Sequence, residues 1–256
     1  MTAPPLYARQ ASLGDVIRLV GYDQAPRRVQ PGQPLTVTVY WQPLGKIEGM
    51  YASYVHVVDS SGRGLLQSDH VPGGDYYPTS MWEPGEVLRD THTLTGPASL
   101  PFGLYRLVAG MYRVSSLEAL GEPVELGWLA VKDPHAVLMS PPADIQHLVN
   151  TAFGERITLL GYDSQLGDRE LRLALYWQAE RTLDQDWSIF IHLIDQAGSL
   201  VAQRDSQPWD GRYPTSVWEP GEIVADAHQI TLPASAADGV YQLVVGLYLV
   251  ENGQRL

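Results

Sequence analysis

Leu35-Thr36-Val37-Thr38-Val39-Tyr40-Trp41 places apolar side chains at odd positions and Thr36, Thr38 and Tyr40 at even ones. Successive side chains of a strand point to opposite faces, so this period of two marks a β-strand with one face in a core. Leu171-Arg172-Leu173-Ala174-Leu175-Tyr176-Trp177 follows the same pattern and ends on the same Tyr-Trp pair. The two stretches lie 177 − 41 = 136 residues apart, and that offset runs without a gap from Tyr40/Tyr176 to Tyr112/Tyr248. Of these 73 aligned pairs 30 are identical, too many for coincidence, so the chain carries an internal duplication.

Working outward, Leu13-Gly14-Asp15-Val16-Ile17 to Gly21-Tyr22-Asp23 returns as Phe153-Gly154-Glu155-Arg156-Ile157 to Gly161-Tyr162-Asp163, and Pro4-Pro5 matches Pro141-Pro142. The densest match is Tyr77-Pro78-Thr79-Ser80-Met81-Trp82-Glu83-Pro84-Gly85-Glu86 against Tyr213-Pro214-Thr215-Ser216-Val217-Trp218-Glu219-Pro220-Gly221-Glu222. The repeat divides the chain into a leader at 1–11, a first domain at 12–132, a linker at 133–151 and a second domain at 152–256. Strands are expected near 16–23, 35–42, 52–59, 63–69, 86–94, 104–113 and 124–131. Turns separate them: Asp59-Ser60-Ser61-Gly62, and Glu83-Pro84-Gly85-Glu86 with proline and glycine placed for a type II turn.

Short strands at this spacing define an all-β sandwich. Gly103-Leu104-Tyr105-Arg106-Leu107 and Gly239-Val240-Tyr241-Gln242-Leu243 resemble the tyrosine corner of immunoglobulin-like folds, in which the hydroxyl bonds back to the preceding connection. The expectation is two tandem immunoglobulin or fibronectin type III-like sandwiches, with jelly rolls as the alternative because Trp41 and Trp177 fall one strand early. After Tyr112 the first copy continues into Val124–Val131, whereas only eight residues follow Tyr248. The second copy is therefore expected to lack its last strand, as a fragment of a longer protein would.

Composition narrows the function classes. The 256 residues carry 17 Lys plus Arg against 29 Asp plus Glu, a net charge of −12, which argues against a phosphate-backbone partner such as nucleic acid. A hydrophobic fraction of 45% is enough for two cores, and the absence of cysteine excludes disulfides and thiolate chemistry. No run is long and apolar enough for a membrane-spanning helix. No P-loop, G-x-S-x-G, H-E-x-x-H or G-x-G-x-x-G pattern occurs, so neither an enzyme nor a cofactor site is expected.

Three constellations remain. His56, Asp90 and His92, repeated as His192, Asp226 and His228, combine residue types that ligate metals or exchange protons. Asp90 and His92 are two apart on a strand and share a face. The expected role is a structural polar cluster, because tandem modules keep structural features in both copies; a metal or acid–base site is the alternative. Glu83/Glu86 and Glu219/Glu222 flank one turn rather than facing each other across a sugar, as glycoside hydrolysis requires. Aromatic residues that differ between copies, Tyr76, Trp209, Tyr51 and Trp187, are expected to be exposed and to stack on a ligand, carbohydrate being the class that amphipathic rings suit.

The run Phe-Gly-Glu-x-Ile-x-Leu-Leu-Gly-Tyr-Asp at 153–163, Leu-Tyr-Trp-Gln-Ala at 175–179, Phe-Ile-His-Leu-Ile-Asp at 190–195, Pro-Thr-Ser-x-Trp-Glu-Pro-Gly-Glu at 214–222 and Gly-x-Tyr-x-Leu-x-x-Gly-Leu-Tyr at 239–248 resembles a bacterial sandwich module. Such modules resemble those found in extracytoplasmic tails of multi-span membrane proteins, including glycosyltransferase-like proteins of green non-sulfur bacteria. The resemblance implies an extracytoplasmic, non-catalytic accessory or interaction module whose partners are glycans or the rest of a parent membrane protein. A carbohydrate-binding pair assisting a glycosyltransferase or a surface polysaccharide system is one alternative, and a sandwich hydrolase using the His/Asp face is the other.

Overall fold

The computed structural model describes residues 3–256, which form an all-β sandwich fold. Backbone contacts divide the chain between Lys132 and Asp133 into two units. The first contains β1 (Tyr7–Leu13), β2 (Ile17–Ala25), β3 (Arg28–Val29), β4 (Pro34–Pro43), β5 (Tyr51–Val58), β6 (Gly64–His70), β7 (Leu88–Thr95), β8 (Gly103–Arg113) and β9 (Val124–Val131). One sheet has the order β1-β2-β4-β7 and the other β3-β9-β8-β5-β6. All pairings are antiparallel except β3 with β9. Leu19, Val37 and Trp41 of the first sheet meet Val55, Leu107 and Leu129 of the second in a single core. Burying each such side chain contributes about 1.5–3 kcal/mol, which is why the alternating apolar positions fix the inner face.

The second unit repeats the plan with β10 (Val137–Leu138), β11 (His147–Phe153), β12 (Ile157–Leu166), β13 (Glu170–Ala179), β14 (Ser188–Ile194), β15 (Leu200–Ser206), β16 (Ile223–Thr231) and β17 (Gln242–Tyr248). Its sheets run β10-β16-β13-β12-β11 and β15-β14-β17. Trp177, Leu175, Ile191 and Leu247 are buried between them.

The expected strands lie within two residues of those observed, and two boundaries are corrected. The stretch expected as a leader, 1–11, holds most of β1 from Tyr7 onward; its first two residues lie outside the described range. The stretch expected as a linker, 133–151, holds β10, which pairs with β16, and most of β11, which pairs with β12. Both edge strands are held by backbone pairing rather than by an apolar face, so neither alternates. Each passes so close to its partner that a Cβ on Gly21 would strike Pro5 and the Tyr7 carbonyl, and one on Gly161 the His147 carbonyl. These close approaches explain the shared Gly-Tyr-Asp. Its aspartates close the same corner: Asp23 accepts from the Leu6 N–H and the Tyr40 hydroxyl, both at 2.7 Å, and Asp163 from the Gln146 N–H at 2.8 Å and the Tyr176 hydroxyl at 2.7 Å.

The tyrosine corners form as expected. The Tyr105 hydroxyl donates to the Pro101 carbonyl at 2.6 Å, and Tyr241 donates to the Ala237 carbonyl. The Glu-Pro-Gly-Glu turns close from Glu86 N–H to the Glu83 carbonyl and from Glu222 N–H to the Glu219 carbonyl, with Gly85 and Gly221 at φ of 88° and 87°.

Candidate functional site

β6 and β7 end different sheets and face each other at one side of the first sandwich. The alternation of β7 turns Asp90, His92 and Leu94 inward and Arg89, Thr91 and Thr93 outward. Asp90 is 4% and His92 0% exposed. Asp90 Oδ1 lies 2.7 Å from His70 Nε2, and Oδ2 lies 3.1 Å from His92 Nε2. Oδ2 also accepts from the Trp41 indole at 3.2 Å and from the Ser53 hydroxyl. The far nitrogen of His92, Nδ1, is 3.0 Å from the Ser68 carbonyl. Burial pushes the Asp90 carboxyl up, but the bonds from His92 and Ser53 and the charges of both histidines outweigh it, leaving the pKa below its ordinary value.

Ser53, His92 and Asp90 are the residue types of a hydrolytic triad, yet the wiring differs. In a triad the carboxylate holds Nδ1 and the serine faces Nε2. Here both Ser53 and Asp90 crowd Nε2, at 3.1 Å each, while Nδ1 is held by Ser68. Ser53 is also fully buried, so no substrate carbonyl reaches its hydroxyl. His70, Asp90 and His92 place three metal-ligating atoms within 4.8 Å of one another. Those same atoms satisfy each other by hydrogen bonds, which is how buried polar groups are ordinarily compensated.

The structure corrects the membership of this cluster. His56 stands apart, bonded to Asp69 at 2.9 Å, and His192 lies 3.7 Å from Asp205. His70 and Ser53 take the place given to His56. The second unit keeps Asp226 and His228, 2.6 Å apart and buried, but has Ser206 where the first has His70 and Ile189 where it has Ser53. Asp226 instead accepts from the Trp209 backbone N–H at 2.8 Å. Trp177 Nε1 and His228 Nδ1 have no hydrogen-bond partner among the described residues.

The aromatic expectations divide. Tyr51 and Trp187 are buried, 5% and 2% exposed, so neither ring can stack on a ligand. Their difference reflects local repacking: the Tyr51 hydroxyl accepts from Arg113 at 2.8 Å. Trp209 is half-buried, its indole donating to the Ala225 carbonyl at 3.0 Å with Arg212 over the ring. Tyr76 is 95% exposed.

The densest shared motif is occupied with the fold. Thr79 Oγ1 accepts the Tyr51 N–H and Thr215 Oγ1 the Trp187 N–H, both at 2.9 Å. Trp82 and Trp218 donate their indoles to the Tyr77 and Tyr213 carbonyls. Glu86 accepts from the Tyr77 hydroxyl and the Glu83 N–H, and Glu222 from the Tyr213 hydroxyl and the Glu219 N–H. The paired carboxylates therefore lock turns. A groove of about 560 Å³ that the sequence did not announce crosses the second unit, lined by Gln146, Gln165, Arg172, Arg204, Asp210 and Gln229 among others.

No family model matches the sequence. No curated protein matches it either. One solved structure similar to part of the chain is described as that of a beta-glucuronidase from glycoside hydrolase family 2. It is 12% identical with a TM-score of 0.31, and the match covers 52% of this chain. The chain matches 11% of that enzyme's length. No helix among the described residues is long and apolar enough to cross a membrane.

Proposed function

We propose that this chain is a non-catalytic accessory module of a larger extracytoplasmic bacterial protein, built from two immunoglobulin-like sandwiches that offer surfaces for interaction. One observation carries the reading: the residues most strictly shared by the two copies spend their reactive groups on the fold. Thr79, Trp82 and Glu86, with Thr215, Trp218 and Glu222, all bond to nearby backbone or to a tyrosine of the same loop. Asp90 and His92 are sealed between sheets. The test is a panel of chromogenic glycosides, esters and phosphates, with the intact chain and its Asp90→Asn variant. No turnover by either is expected. Turnover that disappears in Asp90→Asn overturns the reading.

A carbohydrate ligand is the second reading, favoured by the groove on the second unit. Amide and charged side chains such as Gln146, Arg172 and Gln229 suit a hydroxyl-rich ligand. A glycan array with wild type, Arg172→Ala and Tyr76→Ala decides it. Binding weakened by Arg172→Ala supports the groove, weakening by Tyr76→Ala moves the site to the exposed ring, and no binding at all removes the reading.

A further inference from the structure

Both units build the Asp-His pair, but only the first turns it into a set of converging lone pairs. In the second unit Asp226 Oδ2 and His228 Nε2 lie 2.6 Å apart, and His228 Nδ1 has no hydrogen-bond partner among the described residues. A carboxylate only accepts, so Nε2 carries the ring hydrogen and the pair is complete as a hydrogen bond. In the first unit the ring is held from its other end. His92 Nδ1 is 3.0 Å from the Ser68 carbonyl, closer than the Ser68 hydroxyl at 3.2 Å. A carbonyl also only accepts, so the hydrogen sits on Nδ1, and Nε2 turns a lone pair toward Asp90 Oδ2 at 3.1 Å.

Ser53 stands 3.1 Å from that nitrogen and is bonded to the same carboxylate oxygen; its single hydrogen serves only one of them. Asp90 Oδ2, Ser53 Oγ and His92 Nε2 therefore meet around a place that calls for a positive centre. His70 Nε2 joins them, 2.7 Å from Asp90 Oδ1, with its ring 4.3 Å from that of His92. The ligating atoms of His70, Asp90 and His92 all lie within 4.8 Å of one another. The carbonyl behind His92 Nδ1 is the outer bond that orients a metal-binding imidazole. The His70 side chain is 39% exposed, which gives an ion its way in, while Asp90 and His92 wait inside.

We propose that His70 Nε2, His92 Nε2 and the Asp90 carboxylate bind one divalent ion of the zinc class in the first unit, and that the second unit binds none there. Two imidazoles and a carboxylate suit zinc, cobalt, nickel or copper, whereas calcium and magnesium take shells of oxygen. Water completes a four-coordinate shell. The ion ties β6 to β7, and so one sheet to the other. Its role is structural, since the buried Ser53 and His92 leave no room for a substrate. Ser206 and Ile189 stand where His70 and Ser53 would be needed in the second unit. The proposal goes beyond the accessory reading and does not depend on it.

The probe is zinc chloride, added to the intact chain after dialysis against a chelator. Calorimetry is expected to show one ion bound per chain. Zinc is expected to raise the melting transition of the first unit and to leave that of the second in place. His70→Ala, at a half-exposed position, is expected to weaken binding by about a hundredfold or more. Asp90→Asn keeps the shape of the side chain and is expected to weaken it likewise. His147→Ala removes an exposed histidine of the second unit and is expected to change nothing. No saturable binding below millimolar zinc overturns the proposal. Binding that survives either His70→Ala or Asp90→Asn overturns it too, as does zinc that raises the transition of the second unit instead.

Discussion

Asp90 Oδ1 and His70 Nε2 lie 2.7 Å apart although their strands belong to different sheets. The bond ties the two layers of the first sandwich where β6 and β7 would otherwise part. Removing the carboxylate in Asp90→Ala strands the Trp41 indole, Ser53 and His92 without their acceptor and is expected to cost about 3 kcal/mol or more. His70→Ala removes one half-exposed partner and is expected to cost about 1 kcal/mol. Urea unfolding of both variants checks the order; equal losses would show that His70 carries the cluster.

Acid should weaken the same cluster. The folded Asp90 carboxyl sits below its ordinary value of 3.8, so the unfolded chain binds the proton more readily. Its contribution is fully present above that value and drains away as the pH falls through the lower folded one. The stability gap between wild type and Asp90→Asn is therefore expected to narrow as the pH drops below 3.8. A gap that stays constant through the acid range would place the depression elsewhere.

At the alkaline end the corner made by Tyr176 and Asp163 is expected to respond. Burial, then the bond to Asp163, push the Tyr176 phenol up to about 12. Its contribution is complete below the ordinary 10.0 and is lost as the pH rises through about 12. Phenolate absorbance should show a late-titrating tyrosine that vanishes in Tyr176→Phe and titrates earlier in Asp163→Asn.

Thr79 and Thr215 make equivalent bonds in two units, so their substitutions should match. Thr79→Val leaves the Tyr51 N–H buried without its acceptor, and Thr215→Val does the same to Trp187, each at about 1–3 kcal/mol. Differential scanning calorimetry should show one transition lowered in each variant, a different one in each. A silent substitution in either unit would mean that the loop relaxes to another acceptor.

The strands were legible because Leu35–Trp41 and its repeat bury one face, and burial writes a period into the sequence. Tyr7–Leu13 and His147–Phe153 carry no such period: they lie mostly exposed at sheet edges, held by backbone bonds that leave no side-chain signature. Asp90 and His92 could be placed together from their spacing along one strand. His70 could not, because it comes from the opposite sheet and the second copy has Ser206 there, so a search for repeated residues passes over it. Tyr51 and Trp187 misled for the converse reason. A residue that differs between copies need not be exposed; a pocket wall can accept either ring when its neighbours repack.

The Pro-Thr-Ser-x-Trp-Glu-Pro-Gly-Glu loop also bears on how likeness to other chains should be weighed. Its threonine, tryptophan and second glutamate bond nearby backbone groups and a tyrosine of the same loop in both units, so the motif builds the corner. Two proteins sharing it share a way of building a corner, and nothing follows about what either one holds. Specificity should be sought where the twin units disagree: Tyr76 against Arg212, His70 against Ser206, and Ser53 against Ile189.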